Sequence, residues 1–304
     1  MFLSRFCSTV ALLAALLPAA APAAEATRPY VLSDTETLSL HAAGLGRDYE
    51  LFVSLPPSYG KTQRTYPVVF VTDAPYAFPV TRAIEARVAG HSSELPEFIL
   101  VGLGYAKGDT PEYSRRRDYT PSPRGDRGAT SDMPGRPVVY GEAEGYRRFV
   151  ADEVFPFIAS HYRADMARKV FAGHSYGSLF GAYVMLTSPG MFDGYVLGSP
   201  SLWFDHRLLF ERERTFAASH KDLPARVYIG TGAFETTQPK GRPRDARYDT
   251  DGDMAGDSQA FSRALASHRY SGLKLRTEVI AGEDHLTVAP ALITRGLMWT
   301  LSNN

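Results

Sequence analysis

Gly173-His174-Ser175-Tyr176-Gly177 is the stretch on which the fold turns. It follows a compact apolar run, Lys169 to Ala172, and leads into the small apolar segment Tyr176 to Leu186, which reads as a helix. As bare text a Gly-x-Ser-x-Gly pentapeptide is weak. Between a strand and a helix it has a mechanical meaning: the chain turns sharply, the serine backbone is strained, and the residues two before and two after it must be small. Such a turn lifts the serine oxygen above the sheet edge and aims a helix N-terminus at any oxyanion formed there. A helix N-cap serine after a glycine turn would use the same letters without any chemistry.

Outward from the pentapeptide, apolar runs alternate with helical patterns. Val68 to Val71, Phe98 to Leu103, Tyr195 to Leu197 and Arg226 to Ile229 are bounded by Gly, Pro or Asp and read as buried strands of a mostly parallel sheet. Tyr49 to Leu55 and Leu273 to Ile280 alternate sides, as half-buried strands do. Helices are expected over Val80 to Val88, Tyr146 to His161 with a kink at Pro156, Ser258 to His268 and Val288 to Leu301. The alternation implies α/β layering, a central sheet with helices on both faces. Residues 107–138 and 236–256 are rich in Gly, Pro, Arg and Asp and are expected to be long loops of a single domain spanning 25–304.

Residues 1–24 read as a secretory signal peptide: Arg5 supplies the positive charge, Val10 to Leu17 the apolar run, and Ala21-Pro22-Ala23 a small-residue cleavage site. The run is too short for a membrane span, which takes about 20 apolar residues. The expected location is periplasmic or secreted. Cys7 is the only cysteine and lies in that segment, so the mature chain has no disulfide, thiolate nucleophile or cysteine metal site. Lys plus Arg equals Asp plus Glu at 33 each, which favours neither nucleic acid nor a bulk anionic surface as partner.

A serine hydroxyl needs a base to take its proton at neutral pH. In an α/β-hydrolase sheet the chain order is Ser, then Asp or Glu, then His on the loop after the last strand. His285, in Gly282-Glu283-Asp284-His285 just past Ile280, fits that place. The other histidines precede Ser175, precede the acid-bearing strand or lie on a helix pattern, and His174 inside the turn reads as a packed neighbour. Glu235 is the first candidate for the acid that orients His285, because it follows the strand ending at Gly230. Asp257 is the reserve, and a dyad without a carboxylate is the third option. For the oxyanion the expected donors are the amides of Tyr176 and of Ala74, the latter just after the strand ending in Val71-Thr72-Asp73.

With these residues in place the chain resembles the esterase-D-type α/β hydrolases, and within them the periplasmic hydrolases of trilactone catecholate siderophores. The resemblance runs from about Tyr49 to the C-terminus and rests on four blocks: Phe98 to Tyr105, Arg116-Arg117-Asp118-Tyr119-Thr120-Pro121, the serine turn, and Gly198-Ser199-Pro200-Ser201-Leu202-Trp203. It implies an α/β-hydrolase fold with three layers, a Ser175–His285 catalytic pair, and no cofactor. It supports Glu235 less strongly, since some members lack a usual acid. Two departures stand out: Asp73-Ala74 replaces an Asp-Gly common in the family, and Ser178 replaces a glycine.

The implied activity is serine carboxylic-ester hydrolysis through an acyl-enzyme on a small-molecule ester, with a ferric siderophore as the leading partner. A general esterase of aryl, feruloyl or acetylated-sugar esters, an acyltransferase and a periplasmic ligand-binding protein are the alternatives. The run Arg115-Arg116-Arg117, Arg116 and Arg117 foremost, is a candidate contact for an anionic substrate, against a structural role in which one arginine pairs with Asp118 and the others lie in solvent. Trp203 is either a pocket wall or a core tryptophan. Asp249, Asp251 and Asp253 have the alternate spacing of a calcium loop but lack its glycine at the sixth position and its acid at the twelfth, so no metal is expected.

Overall fold

The middle strands are continuous apolar runs because helices cover both of their faces. In β3 (Tyr66–Val71) every residue is buried, with Val68 and Phe70 facing one core and Val69 and Val71 the other. The computed structural model describes residues 29–302 apart from 90, 92–94, 126–127, 242–243 and 250–251, and from Asp34 onward the chain forms one compact unit.

In chain order the main elements are β1 (Thr35–Ala42), β2 (Arg47–Ser54), β3, α1 (Ala74–Ile84), β4 (Ile99–Ala106), α2 (Pro111–Asp118), α3 (Ala143–Phe149), α4 (Phe155–His161) and β5 (Ala164–His174). Then follow α5 (Tyr176–Thr187), β6 (Gly194–Gly198), α6 (Phe204–Ser219), β7 (Ala225–Gly232), α7 (Met254–Ser267), β8 (Leu273–Ile280) and α8 (Ala289–Leu301). The eight strands form one sheet in the order β1-β2-β4-β3-β5-β6-β7-β8. The strands β1 and β2 are antiparallel to each other, β2 is antiparallel to β4, and all later neighbours are parallel. This is the α/β layering expected from the alternation, in the α/β-hydrolase arrangement that the resemblance implies.

One helical layer carries α1 and α8, whose Ala77, Phe78, Leu292 and Leu297 share a core with Val69, Val71 and Val196. The opposite layer carries α3 to α7 against Phe70, Phe171 and Leu197. After β3 the chain moves out to β4, whereas after β5 it moves the other way to β6. The carboxyl ends of β3 and β5 therefore flank the point where strand order reverses, which is where open α/β sheets bind ligands.

Differences from the sequence expectation have local causes. The edge strand β1 has only Leu38, Leu40 and Ala42 as inward apolar residues, too few to stand out. The inner stripe of α6 runs Leu209, Glu213, Phe216, and Glu213 is buried because the His268 ring nitrogen bonds to it at 2.7 Å. A charge at the centre of an apolar stripe hides the helix. The expected helix over Tyr146 to His161 is α3 and α4 joined by a π-helical turn at Val150–Val154, so the irregularity precedes Pro156. Within 107–138 the chain forms α2, capped by the Thr110 side chain, which accepts from the Tyr113 amide.

Candidate active site

Ser175 sits between β5 and α5 with φ 57° and ψ −119°, a conformation that a non-glycine residue holds only when its surroundings impose it. The surroundings are tight. A side-chain carbon on Gly173 would lie 2.6 Å from the Gly177 carbonyl carbon, and one on Gly177 would lie 2.3 Å from Thr72 Oγ1. Two glycines thus let the turn close on itself and dock against the end of β3. Ser178, the departure from the related glycine, donates to the Gly173 carbonyl at 2.6 Å and ties the turn shut.

The docking against β3 brings two helix N-termini together. Asp73, in the left-handed region at φ 56°, opens α1 at Ala74, and Ser175 opens α5 at Tyr176. The amides of Ala74 and Tyr176 are first-turn amides, which an α-helix leaves without an intrahelical acceptor.

Glu235 lies on the loop after β7 and is 1 % exposed. Its Oε1 accepts from Ser199 Oγ and from the Gly232 amide, both at 2.6 Å. Its Oε2 lies 2.7 Å from His285 Nδ1, and the His285 side chain keeps 35 % of its surface exposed. A carboxylate at that distance accepts a proton held on Nδ1 and leaves Nε2 with a free lone pair, the tautomer a general base requires. Asp257, the reserve acid, is instead bound to Arg207 at 2.5 Å near the start of α7.

The hydroxyl of Ser175 lies 3.3 Å from that of Ser201, and among the described residues no hydrogen bond joins it to His285. The imidazole lies with its ring 4.6 Å from the ring of His174, the residue before the serine. Catalytic hydrogen bonds of this kind are often long without substrate and tighten in the complex. Burial and the neighbouring His285 push the pKa of His174 down to about 3, so His174 stays neutral at ordinary pH.

The arginine run divides. Arg117 is 2 % exposed, bidentate to Asp118 at 2.8 Å and bonded to Asp109 at 2.6 Å. Asp118 in turn accepts from Tyr49 of β2 at 3.0 Å, which ties the end of α2 to the sheet, and Arg117 is buried within this group rather than facing the opening of the site. Arg116 pairs with Glu112 at 3.0 Å and donates to the Thr130 carbonyl at 3.0 Å, which anchors the following loop. Arg115, the first of the run expected to meet an anionic substrate, donates to Asp73 at 2.9 Å. Trp203 is 47 % exposed, 6.0 Å from the Tyr176 ring, and so belongs to the rim of the site rather than to the core.

Ser199 and Ser201 are functional neighbours that sequence reasoning passed over. The Ser-Pro-Ser segment after β6 was visible as a motif, but only the folded chain shows one serine on Glu235 and the other beside Ser175. Of the aspartate loop, Asp251 lies outside the described residues, Asp253 caps α7 by accepting from the Gly256 amide, and the described residues contain no cluster of three metal-binding side chains. Among them, too, no helix is long and apolar enough to cross a membrane.

Comparison with known proteins places the family and the fold. The Esterase family model matches residues 42–260, more than half of the chain. Ferri-bacillibactin esterase BesA of Bacillus subtilis is 28 % identical over 283 residues, covering 90 % of this chain and 91 % of that protein. The siderophore triacetylfusarinine C esterase of Aspergillus fumigatus is 26 % identical, covering 83 % and 88 %. In fold, the BES protein from Bacillus cereus superposes with a TM-score of 0.76 at 23 % identity, over 92 % of this chain and all of that one.

Proposed function

The chain belongs to the Esterase family, and from that premise we propose a serine mechanism acting on the ester bonds of cyclic siderophores. The enzyme is a carboxylic ester hydrolase, and the observation that carries its mechanism is the Glu235–His285 contact of 2.7 Å, on loops after β7 and β8 at the same carboxyl edge of the sheet as the strained Ser175 after β5. Ser175 attacks the ester carbonyl while His285 Nε2 takes its proton. Glu235 holds the ring and stabilises the imidazolium that forms. The amides of Tyr176 and Ala74 receive the oxyanion, each donor of this kind being worth about 3 kcal/mol in the transition state. The imidazolium then protonates the departing alkoxide, and water repeats the sequence on the acyl-enzyme.

The substrate class rests on the relatives, which are named for ferri-bacillibactin and for triacetylfusarinine C. Both match over more than four fifths of their own length, which supports carrying over the substrate class along with the family. Hydrolysis of a macrocyclic ester would weaken its hold on iron, with the ferric ion as cargo. The layout of residues 1–24 supports secretion, with the enzyme meeting its substrate in the periplasm or outside the cell.

The test compares wild type and Ser175→Ala on p-nitrophenyl butyrate and on iron-free and ferric trilactones, with linear products followed by mass spectrometry. Wild type is expected to open at least one trilactone faster than the aryl ester. Ser175→Ala is expected to lose at least about 10⁴-fold in kcat. Trilactones no better than the aryl ester would end the siderophore assignment, and equal activity in both proteins would end the serine mechanism.

A further inference from the structure

Beside the serine turn, on the face of the sheet that carries α1 and α8, lies a cavity of about 580 Å³. That volume is in the range of pockets built for small organic ligands. Gly173 and His174 form its wall on the serine side, and Thr72 and Asp73 form the wall beside the candidate oxyanion amide of Ala74. Its depth is aliphatic: Val71, Ala77, Val196, Leu292 and Ile293. Leu286, the residue after His285, also lines it and is 79 % exposed.

The charges around it are unequal. Three carboxylates, Asp73, Glu112 and Asp132, line the cavity beside one guanidinium, that of Arg115. Arg115 is already committed, with its Nε 2.9 Å from Asp73 and its Nη1 3.7 Å from Glu112. Arg116, just outside the lining, takes up Glu112 at 3.0 Å and stands 4.0 Å from Asp132, so an anion entering here would lose its water without finding an uncommitted cation, which is costly. The other side of the serine is different in kind: Tyr176 and the exposed Trp203 form an open aromatic rim there.

Resting on the serine-esterase reading, we propose that this cavity is an acyl-side specificity pocket that takes one uncharged, largely apolar arm of the ester. The direction follows from the chemistry. The oxyanion, and with it the carbonyl carbon, is held at the Ala74 amide beside the Thr72–Asp73 wall, so the group bonded to that carbon is the one that reaches past the end of β3 into the cavity. The bulk of a large substrate stays outside, over the aromatic rim. Each methylene buried in the cavity should raise kcat/KM roughly threefold until the aliphatic depth is filled.

The test uses p-nitrophenyl acetate, butyrate and octanoate together with the anionic hemiglutarate, and binding of octanamide to Ser175→Ala by calorimetry. From butyrate to octanoate kcat/KM should rise at least about tenfold, and the hemiglutarate should be poorer than the neutral butyrate. Ile293→Trp, which fills the depth, should reverse the octanoate-to-acetate preference and abolish octanamide binding. Ala77→Phe does the same from the opposite helix and serves if the tryptophan variant does not fold. Acetate turnover with no chain-length preference and no octanamide binding would overturn the pocket while leaving the esterase intact. Octanamide binding without turnover of any ester would leave the pocket standing and remove the mechanism beneath it.

Discussion

Two buried carboxylates in this molecule each hold a cation-forming partner, and they serve opposite ends. Asp118 on α2 is 1 % exposed and faces Arg117, itself 2 % exposed. Glu235 is equally buried, but its partner His285 keeps 35 % of its side chain in contact with solvent. In the first pair both charges are sealed, and Asp118 also accepts from Tyr49 of β2, so the group serves to fix the end of α2 against the sheet. In the second, one ring nitrogen is held and the other is left for chemistry. The difference lies in which partner reaches the surface, since the contact distances are nearly the same, 2.8 and 2.7 Å. A third carboxylate, Glu85, is fully buried with neither oxygen bonded to another side chain, and Arg82 stands 3.9 Å away.

The largest expected effect breaks the second pair. Glu235→Gln keeps the shape but cannot hold the Nδ1 proton in the same way, and kcat should fall roughly 10⁴-fold. Thermal unfolding of that variant should stay close to wild type, because Ser199 and the Gly232 amide can still donate to the amide oxygen. A kcat within tenfold of wild type would mean that the histidine works without its carboxylate.

Breaking the first pair should show the reverse pattern. Asp118→Ala removes the bidentate partner of the buried Arg117 but leaves Asp109 at 2.6 Å, and should cost about 1.5–3 kcal/mol of stability, read by urea unfolding, with kcat per folded molecule falling far less than in Glu235→Gln. Equal losses of activity in the two variants would remove the distinction between clasp and catalyst.

The smallest effect concerns the unpaired carboxylate. Burial raises the Glu85 carboxyl to about 8 from its ordinary 4.5, so the folded protein keeps a proton that the unfolded chain releases. The stability this contributes is full below about pH 4.5 and is lost as pH rises through about 8, with a slope of at most about 1.4 kcal/mol per pH unit. Glu85→Gln, neutral throughout, should flatten the urea-midpoint profile between pH 5 and 8 and be the more stable protein at pH 9. Parallel profiles for the two proteins would show that Glu85 is ionised in the fold.

Much of the sheet was legible because parallel strands buried on both faces must be apolar throughout, and Val68 to Val71 or Tyr195 to Leu197 could be little else. The elements that escaped were those whose inward residues are few or polar, β1 at the edge and α6 around Glu213. The Arg116-Arg117-Asp118 motif was visible as text, but not which arginine would be sealed. That depends on Asp109 and Asp118 closing over Arg117 while Arg115 turns to Asp73.

By itself the sequence determined the layered α/β fold, the strained serine at residue 175 and the loop histidine at residue 285. Each of these is a local signal: a strand, a turn with two glycines and a helix, or a histidine just past the last strand. Only the tertiary structure decided between Glu235 and Asp257, placed Ser199 and Ser201 at the site, buried Arg117 and opened the cavity between α1 and α8. Those outcomes depend on which loops meet at the carboxyl edge of the sheet. That meeting is set by the packing of helices far apart in the chain, which no window of neighbouring residues contains.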